Sequence, residues 1–221
     1  MTARVTVIIP AIDEAGRIAA AVDSAFAAGA AEVIVADGGS EDGTVAVAEA
    51  HGARVVTGER MRSRQCNRAA SLATGDCLLF LHADTQLPAG ACHAVSDALA
   101  EGADFGGFRL RFAERSWRLR LAAALINLRT RWTRAPWGDQ AQFLRREDFL
   151  RDGGFREIPI MEDYELAARM KRRVLLPLTV TTSGRRFLRK GLWRTAATNW
   201  RIIVAWRMGA DAEELARIYR E

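Results

Sequence analysis

Cys77-Leu78-Leu79-Phe80-Leu81-His82-Ala83-Asp84-Thr85 is the stretch on which the fold turns. An unbroken apolar run of this length reads as a strand buried on both faces. It ends on a carboxylate. In an open α/β sheet, ligands bind outside the carboxyl ends of the strands. Asp84 therefore stands where a metal or a phosphate would be bound. Two other acidic spots share the pattern: Asp37 after Val33-Ile34-Val35-Ala36, and Glu162-Asp163 after Ile158-Pro159-Ile160-Met161. Three acidic clusters at one sheet edge point to a metal-dependent site for an anionic substrate.

Outward from that strand, the first half alternates strand and helix. Thr6 to Ile9 is a β-branched strand stopped by Pro10, and Asp13-Glu14 opens a helix through about Ala28. Carboxylates are well placed at the positive end of that helix. A strand at Glu32 to Ala36, a helix at Thr44 to His51, a strand at Ala53 to Thr57 and a helix at Met61 to Ala73 follow. This spacing predicts an α/β fold with a mostly parallel central sheet flanked by helices. The second half changes character. Phe105 to Phe112 alternates like a half-exposed strand, Ser116 to Arg134 is an Arg-rich amphipathic helix, and Gln140 to Leu144 is a strand. Glu162 to Arg172 is helical, and Val174 to Val180 is a short strand pair around Pro177. From Phe187 to Tyr219 a helical tail is broken near Gly209. Residues 1–186 are expected to form the catalytic domain and 187–221 a helical extension packed on it.

The chain has 221 residues and 49% apolar content, enough for one domain with a full core. No run reaches the roughly 18 apolar residues of a membrane span, and Met1-Thr2-Ala3-Arg4 lacks the pattern of a signal peptide. Cys66, Cys77 and Cys92 are odd in number and show no CxxC spacing, which favours free thiols and a cytoplasmic protein. The net charge is +5, and all basic residues but Lys171 and Lys190 are arginine. Arginine suits bidentate recognition of phosphate. No nucleic-acid motif is present, so a nucleic-acid partner is not expected. GxGxxG is absent after the first strand and GxxxxGK[ST] is absent throughout. This argues against a dinucleotide dehydrogenase and a P-loop enzyme.

Each candidate has a plainer alternative. Asp37 precedes two glycines and can accept hydrogen bonds from a base or ribose, or it is a turn aspartate bonded to its own loop. His82 and Asp84, two apart on an extended segment, face the same side. Mg²⁺ binds through one or two carboxylates plus substrate phosphates, so Asp84 alone can suffice. His82 would suit Mn²⁺, or it is a packing histidine. Glu162-Asp163 offers a carboxylate for a general base, or it complements a helix dipole. Arg60, Arg62, Arg64 and Arg68 form one basic cluster; Arg185, Arg186, Arg189 and Lys190 form another. Two such clusters around an acidic site would serve a diphosphate leaving group. Trp193, Trp200 and Trp206 recur among arginines in the tail. They dock on the core, or they lie on an anionic membrane at its inner face.

The ordered set resembles glycosyltransferase family 2. It comprises Val7-Ile8-Ile9-Pro10 with Asp13-Glu14, then Val35 to Thr44, His82-Ala83-Asp84 and Glu162-Asp163. Arg64-Gln65-Cys66-Asn67, Phe80 to Thr85, Trp137-Gly138-Asp139-Gln140 and Met161-Glu162-Asp163 are similar to a bacterial subgroup, the radical-SAM/selenodomain-associated transferases. The resemblance implies the A-type glycosyltransferase fold and inverting transfer from a nucleotide-sugar donor, assisted by a divalent metal, Mn²⁺ or Mg²⁺. It implies that Pro10, Glu14 and Asp37 line the nucleotide pocket, Asp37 on the base. Asp84 matches the last acid of the family's DxD motif and would hold the metal. Asp163, with Glu162 beside it, matches the catalytic base. Arg64, Arg185 and Arg186 would help hold the diphosphate or the acceptor. The acceptor stays open, a lipid-linked one included. His82 departs from the pattern, standing where many relatives carry the first Asp of DxD. A nucleotidyltransferase would instead release pyrophosphate from a nucleoside triphosphate, and a non-catalytic nucleotide-sugar-binding protein would transfer nothing.

Overall fold

The computed structural model describes residues 3–220, apart from the side chains of Leu192 and Arg220. Met1, Thr2 and Glu221, at the ends of the two expected segments, lie outside the described residues. The first half runs β1 (Val5–Ala11), α1 (Ala15–Ala27), β2 (Glu32–Asp37), α2 (Thr44–Ala50), β3 (Arg54–Thr57), α3 (Arg62–Leu72) and β4 (Cys77–Phe80). Next come β5 (Thr85–Gln86), α4 (Ala91–Ala100), β6 (Phe105–Phe112), α5 (Trp117–Thr133), a 3-10 turn (Gly138–Gln140) and β7 (Phe143–Arg145). The chain ends with α6 (Arg146–Arg151), α7 (Glu162–Arg169), β8 (Arg173–Thr182), α8 (Arg185–Lys190), α9 (Leu192–Arg207) and α10 (Ala212–Arg220).

The strands form one eight-stranded sheet in the order β3-β2-β1-β4-β7-β6-β8-β5. It is mixed, which corrects the expectation of a mostly parallel sheet. β1 to β4 pair in parallel, but β7 is antiparallel to both β4 and β6, and β5 is antiparallel to β8. Strand-helix alternation fixes direction in the first half. β5 and β7 are two and three residues long and carry no period to read.

Two proline expectations are also corrected. β1 runs on through Pro10 instead of stopping before it. Ala11 O accepts from Gly38 N on the β2 side, and Ile8 O accepts from Leu81 N on the β4 side. Pro10 therefore turns its missing N–H toward β4, whose pairing with β1 has already ended at Ile8. β8 is likewise one strand and not a pair. Its register with β6 jumps from Phe108–Leu176 to Arg109–Thr179, so a bulge takes up Pro177.

Both sheet faces are covered, which explains the unbroken apolar runs in β1, β2 and β4. Val7, Ile9, Leu79 and Leu81 pack toward Ile18 and Val22 of α1 and Val95 of α4. Ile8, Ile34, Leu78 and Phe80 pack toward Ala69, Phe149 and Leu166 on the other face. Truncating a fully buried leucine such as Leu79 to alanine would cost about 2–5 kcal/mol. Cys66, Cys77 and Cys92 are buried free thiols in these layers. A smaller cluster of Met161, Ile202 and Leu215 ties α9 and α10 to the segment before α7.

Candidate active site

The sheet order reverses at β1, with β2 on one side and β4 on the other. In open α/β sheets such a switch point opens the crevice in which ligands bind. The loop after β1 carries Glu14 and the loop after β4 carries His82 and Asp84. Arg185, the first residue of α8, reaches across to both loops. Its Nη1 lies 3.2 Å from Glu14 Oε2, its Nη2 also donates to Glu14 Oε1, and Nη2 lies 3.4 Å from Asp84 Oδ2. Burial raises the Asp84 carboxyl, and Arg185 pulls against that rise. The hydrogen bonds to Glu14 raise the Arg185 guanidinium.

A second group adjoins the first. Arg62, the first residue of α3, donates from Nε to Glu162 Oε1 and lies 3.9 Å from Asp163 Oδ2. Its Nη1 is 3.0 Å from His82 Nε2. Burial and the neighbouring Arg62 pull His82 down to about 3, so the ring is neutral and Nε2 accepts from Arg62. Gly138 N donates to Asp163 Oδ2 at 2.7 Å. A Cβ at Gly138 would lie 3.0 Å from both Asp163 Oδ2 and His82 Nε2, a contact tight enough that one of these side chains would have to give way. Met161, just before the pair, holds a left-handed backbone (φ 72) that costs a non-glycine residue about 1–2 kcal/mol. Strain of this kind concentrates at functional sites.

Apart from Glu14, these groups line one cavity of about 450 Å³. His82, Asp84, Glu162, Asp163, Arg185 and Arg186 all face it. Pro10 lines a small adjoining pocket with His82 and Asp163. Arg186 stacks its guanidinium 3.6 Å from the Tyr219 ring, and its Nη2 is buried without a hydrogen-bond partner. A buried, unsatisfied cationic donor at a cavity wall is fitted to an anionic ligand.

Three expected residues, Glu14, Asp37 and Arg64, are not in the cavity wall. Asp37 is buried, and its carboxylate accepts from Gly39 N at 2.8 Å, Ser40 N at 3.1 Å and Ser40 Oγ at 2.5 Å. It closes its own turn. Arg64 points outward to Glu59 and Glu157. Conversely, the sequence gives Gly138 and Asp139 no site role and offers Arg62 only as one member of a basic cluster. Asp139 lines the cavity with Oδ1 buried and unpartnered, and burial pushes its carboxyl up to about 6 against the pull of Arg129. Its only signal in the sequence is its place in Trp137-Gly138-Asp139-Gln140, between a tight glycine and a buried glutamine.

The donor set fits a divalent metal of one kind. Among the described residues no three His, Cys, Asp or Glu side chains gather into a cage. Asp84 is a part-buried carboxylate just beyond the strand end, and the half-exposed Arg185 offsets its charge. One carboxylate completed by phosphate oxygens is how Mg²⁺-type ions are commonly held with nucleotides. His82 would have to give up Arg62 to take part.

The family model described as Glycosyl transferase family 2 matches residues 6–156. None of the curated proteins compared with the chain matches it. Among solved structures it is similar to mannosyl-3-phosphoglycerate synthase from Rubrobacter xylanophilus, with 20% identity and TM-score 0.60, over 88% of this chain and 72% of that one. Glucosyl-3-phosphoglycerate synthase from Mycobacterium tuberculosis, in complex with Mn²⁺, UDP and glucosyl-3-phosphoglycerate, gives 20% identity and TM-score 0.58 over 81% and 71%. S. aureus TarS gives 17% identity and TM-score 0.64, over 81% of this chain and 36% of that one. A mycobacterial protein is matched over 65% of its own length. At these identities the likeness is one of fold.

Proposed function

The chain belongs to glycosyl transferase family 2, and on that premise we propose that it transfers a sugar from a nucleotide-diphosphate donor to a hydroxyl acceptor with inversion. The observation that carries this reading is the meeting of Asp84, Glu162-Asp163 and Arg185-Arg186 around one cavity. Asp163 takes the proton of the acceptor hydroxyl. The Gly138 N–H orients its carboxylate before substrate arrives, which is how positioned groups lower a barrier. Glu162 anchors Arg62 beside it. The deprotonated oxygen attacks the anomeric carbon from the face opposite the diphosphate. The new C–O bond forms as the bond to the diphosphate oxygen breaks, and the nucleoside diphosphate leaves with that electron pair. Arg185 and Arg186 offset the charge growing on it. A divalent metal, Mn²⁺ or Mg²⁺, held by Asp84 and phosphate oxygens would act there as a Lewis acid, a role that can supply several kcal/mol.

Pro10, Glu14 and Asp37 serve the nucleotide end in this reading, with Asp37 shaping the loop that meets the base, and Arg64 would have to turn from Glu59 and Glu157 to help hold the diphosphate or the acceptor. The ordered motifs also support the bacterial radical-SAM/selenodomain-associated subgroup. Free buried thiols support a cytoplasmic setting. Residues 187–221 are read as an extension of the catalytic domain, because Ile202 and Leu215 pack on Met161.

Thermal unfolding with a panel of nucleoside diphosphates and nucleotide-sugars, with Mn²⁺, with Mg²⁺ and with chelator, tests the reading. A ligand at a hundred times its Kd adds about 2.7 kcal/mol to stability, a rise of roughly 5–10 °C for a chain of this size. The expected result is such a rise that chelator diminishes. No shift with any nucleotide overturns the proposal. Pyrophosphate release from a nucleoside triphosphate would make the protein a nucleotidyltransferase.

A further inference from the structure

α5 has two apolar faces. Leu119, Ala122 and Ala123 are buried against the protein. Trp117, Leu121, Leu125, Leu128 and Trp132 are all exposed, Trp132 at 82%. At 3.6 residues per turn these five fall within an arc of about 80°. Arg118 borders the arc on one side, and Arg120 and Arg131 border it on the other. α9 repeats the arrangement. Trp193, Trp200, Val204 and Met208 are exposed, Trp193 at 74%, and recur at helical spacing between Arg201 and Arg207. Single exposed apolar residues are ordinary, but an unbroken stripe along a helix marks an interaction surface.

The two helices touch and wall the same cavity, α5 through Ile126 and α9 through Asn199, Ile202 and Ile203. Each turns its exposed stripe away from that cavity. Neither helix contains an acidic residue, while α5 and the residue that follows it carry five arginines. The chemistry is that of an interfacial helix: an apolar stripe, tryptophans at both ends and arginines along its edges. No helix among the described residues is long and apolar enough to cross a membrane, so such a face would lie in the plane of the interface.

We propose that the exposed faces of α5 and α9 dock the protein on an anionic lipid surface. Charge complementarity selects this occupant, because a stripe edged only by arginine meets lipid phosphates on both sides. The docking does not depend on the glycosyl-transfer reading. One corollary does: with the cavity behind these helices, the acceptor class within reach is a hydroxyl carried by a lipid.

Co-sedimentation of the full chain with vesicles tests the docking. One set contains phosphatidylcholine and phosphatidylglycerol, the other phosphatidylcholine alone, at low and at high salt. The bound fraction should be about tenfold greater on the anionic set and fall with salt. Leu121→Glu/Leu125→Glu/Leu128→Glu should lower it about tenfold with an unchanged unfolding midpoint, and Trp193→Ser/Trp200→Ser provides the same reading from α9. Failure to bind anionic vesicles at low salt overturns the proposal, as does binding that neither variant weakens. Concentration-dependent dimerisation abolished by the α5 variant would assign the face to a second copy of the chain and overturn it too. The nucleotide panel is read separately, so either proposal can fail alone.

Discussion

Arg185 Nη2 stands 3.4 Å from Asp84 Oδ2, so the carboxylate at the end of β4 already faces a cation supplied by the chain. A metal at Asp84 must compete with that guanidinium. Arg185→Gln should therefore bind Mn²⁺ about fivefold more tightly in calorimetry without nucleotide, the ~1 kcal/mol scale of a half-exposed ion pair. It should bind nucleoside diphosphate more weakly. Unchanged Mn²⁺ affinity would show that arginine and metal do not share the carboxylate.

Asp163→Asn removes the base and keeps the shape. Turnover should fall by about 10²–10⁴, while the thermal shift produced by the donor nucleotide is retained. Equal loss of donor affinity would make Asp163 a donor-site or structural residue.

Gly138→Ala places a methyl group 3.0 Å from Asp163 Oδ2 and from His82 Nε2. Crowding of this kind costs about 1–3 kcal/mol where the surroundings cannot yield. The expected outcome is a drop in kcat of roughly tenfold or more with a smaller change in unfolding midpoint. A variant with wild-type kcat would mean that the carboxylate is not held by this contact.

Asp139 titrates against folding. Burial raises its carboxyl from 3.8 to about 6, so the folded protein prefers it protonated. Its contribution is fully present below about pH 4 and is lost as pH rises through about 6. Asp139→Asn should therefore unfold at a higher temperature than the wild type above pH 6, by roughly a few degrees. The gap should close as pH falls toward 4. A gap independent of pH across that window would leave Asp139 without this role.

The first half of the fold was legible because β1, β2 and β3 are each followed by a helix and β4 is an unbroken apolar run. The second half was not. A two-residue strand has no period, and Pro177 reads as a break until the β6 register shows the bulge that accommodates it. In the site, strand-end carboxylates could be found because polarity after a buried run is unusual. Asp37 shows the limit of that rule, since a turn aspartate satisfies itself locally. Arg62 and Arg64 show another. Two residues apart on a helix lie about 200° apart, so one points into the cavity and the other to Glu59 and Glu157. Composition cannot separate them without the helix phase. Gln65 is equally silent in sequence, yet it fastens β1 to β2 by donating to Ala11 O and Ala36 O.

The three buried cysteines have a practical consequence. Burial pushes the thiols up, to about 12 for Cys66 and about 11 for Cys77 and Cys92, so almost no thiolate exists at neutral pH. The native chain is in effect blank to maleimides and spin labels. A single cysteine introduced at exposed Ala197 on α9 would carry a probe alone, and its signal would track how that helix moves when nucleotide or lipid is added.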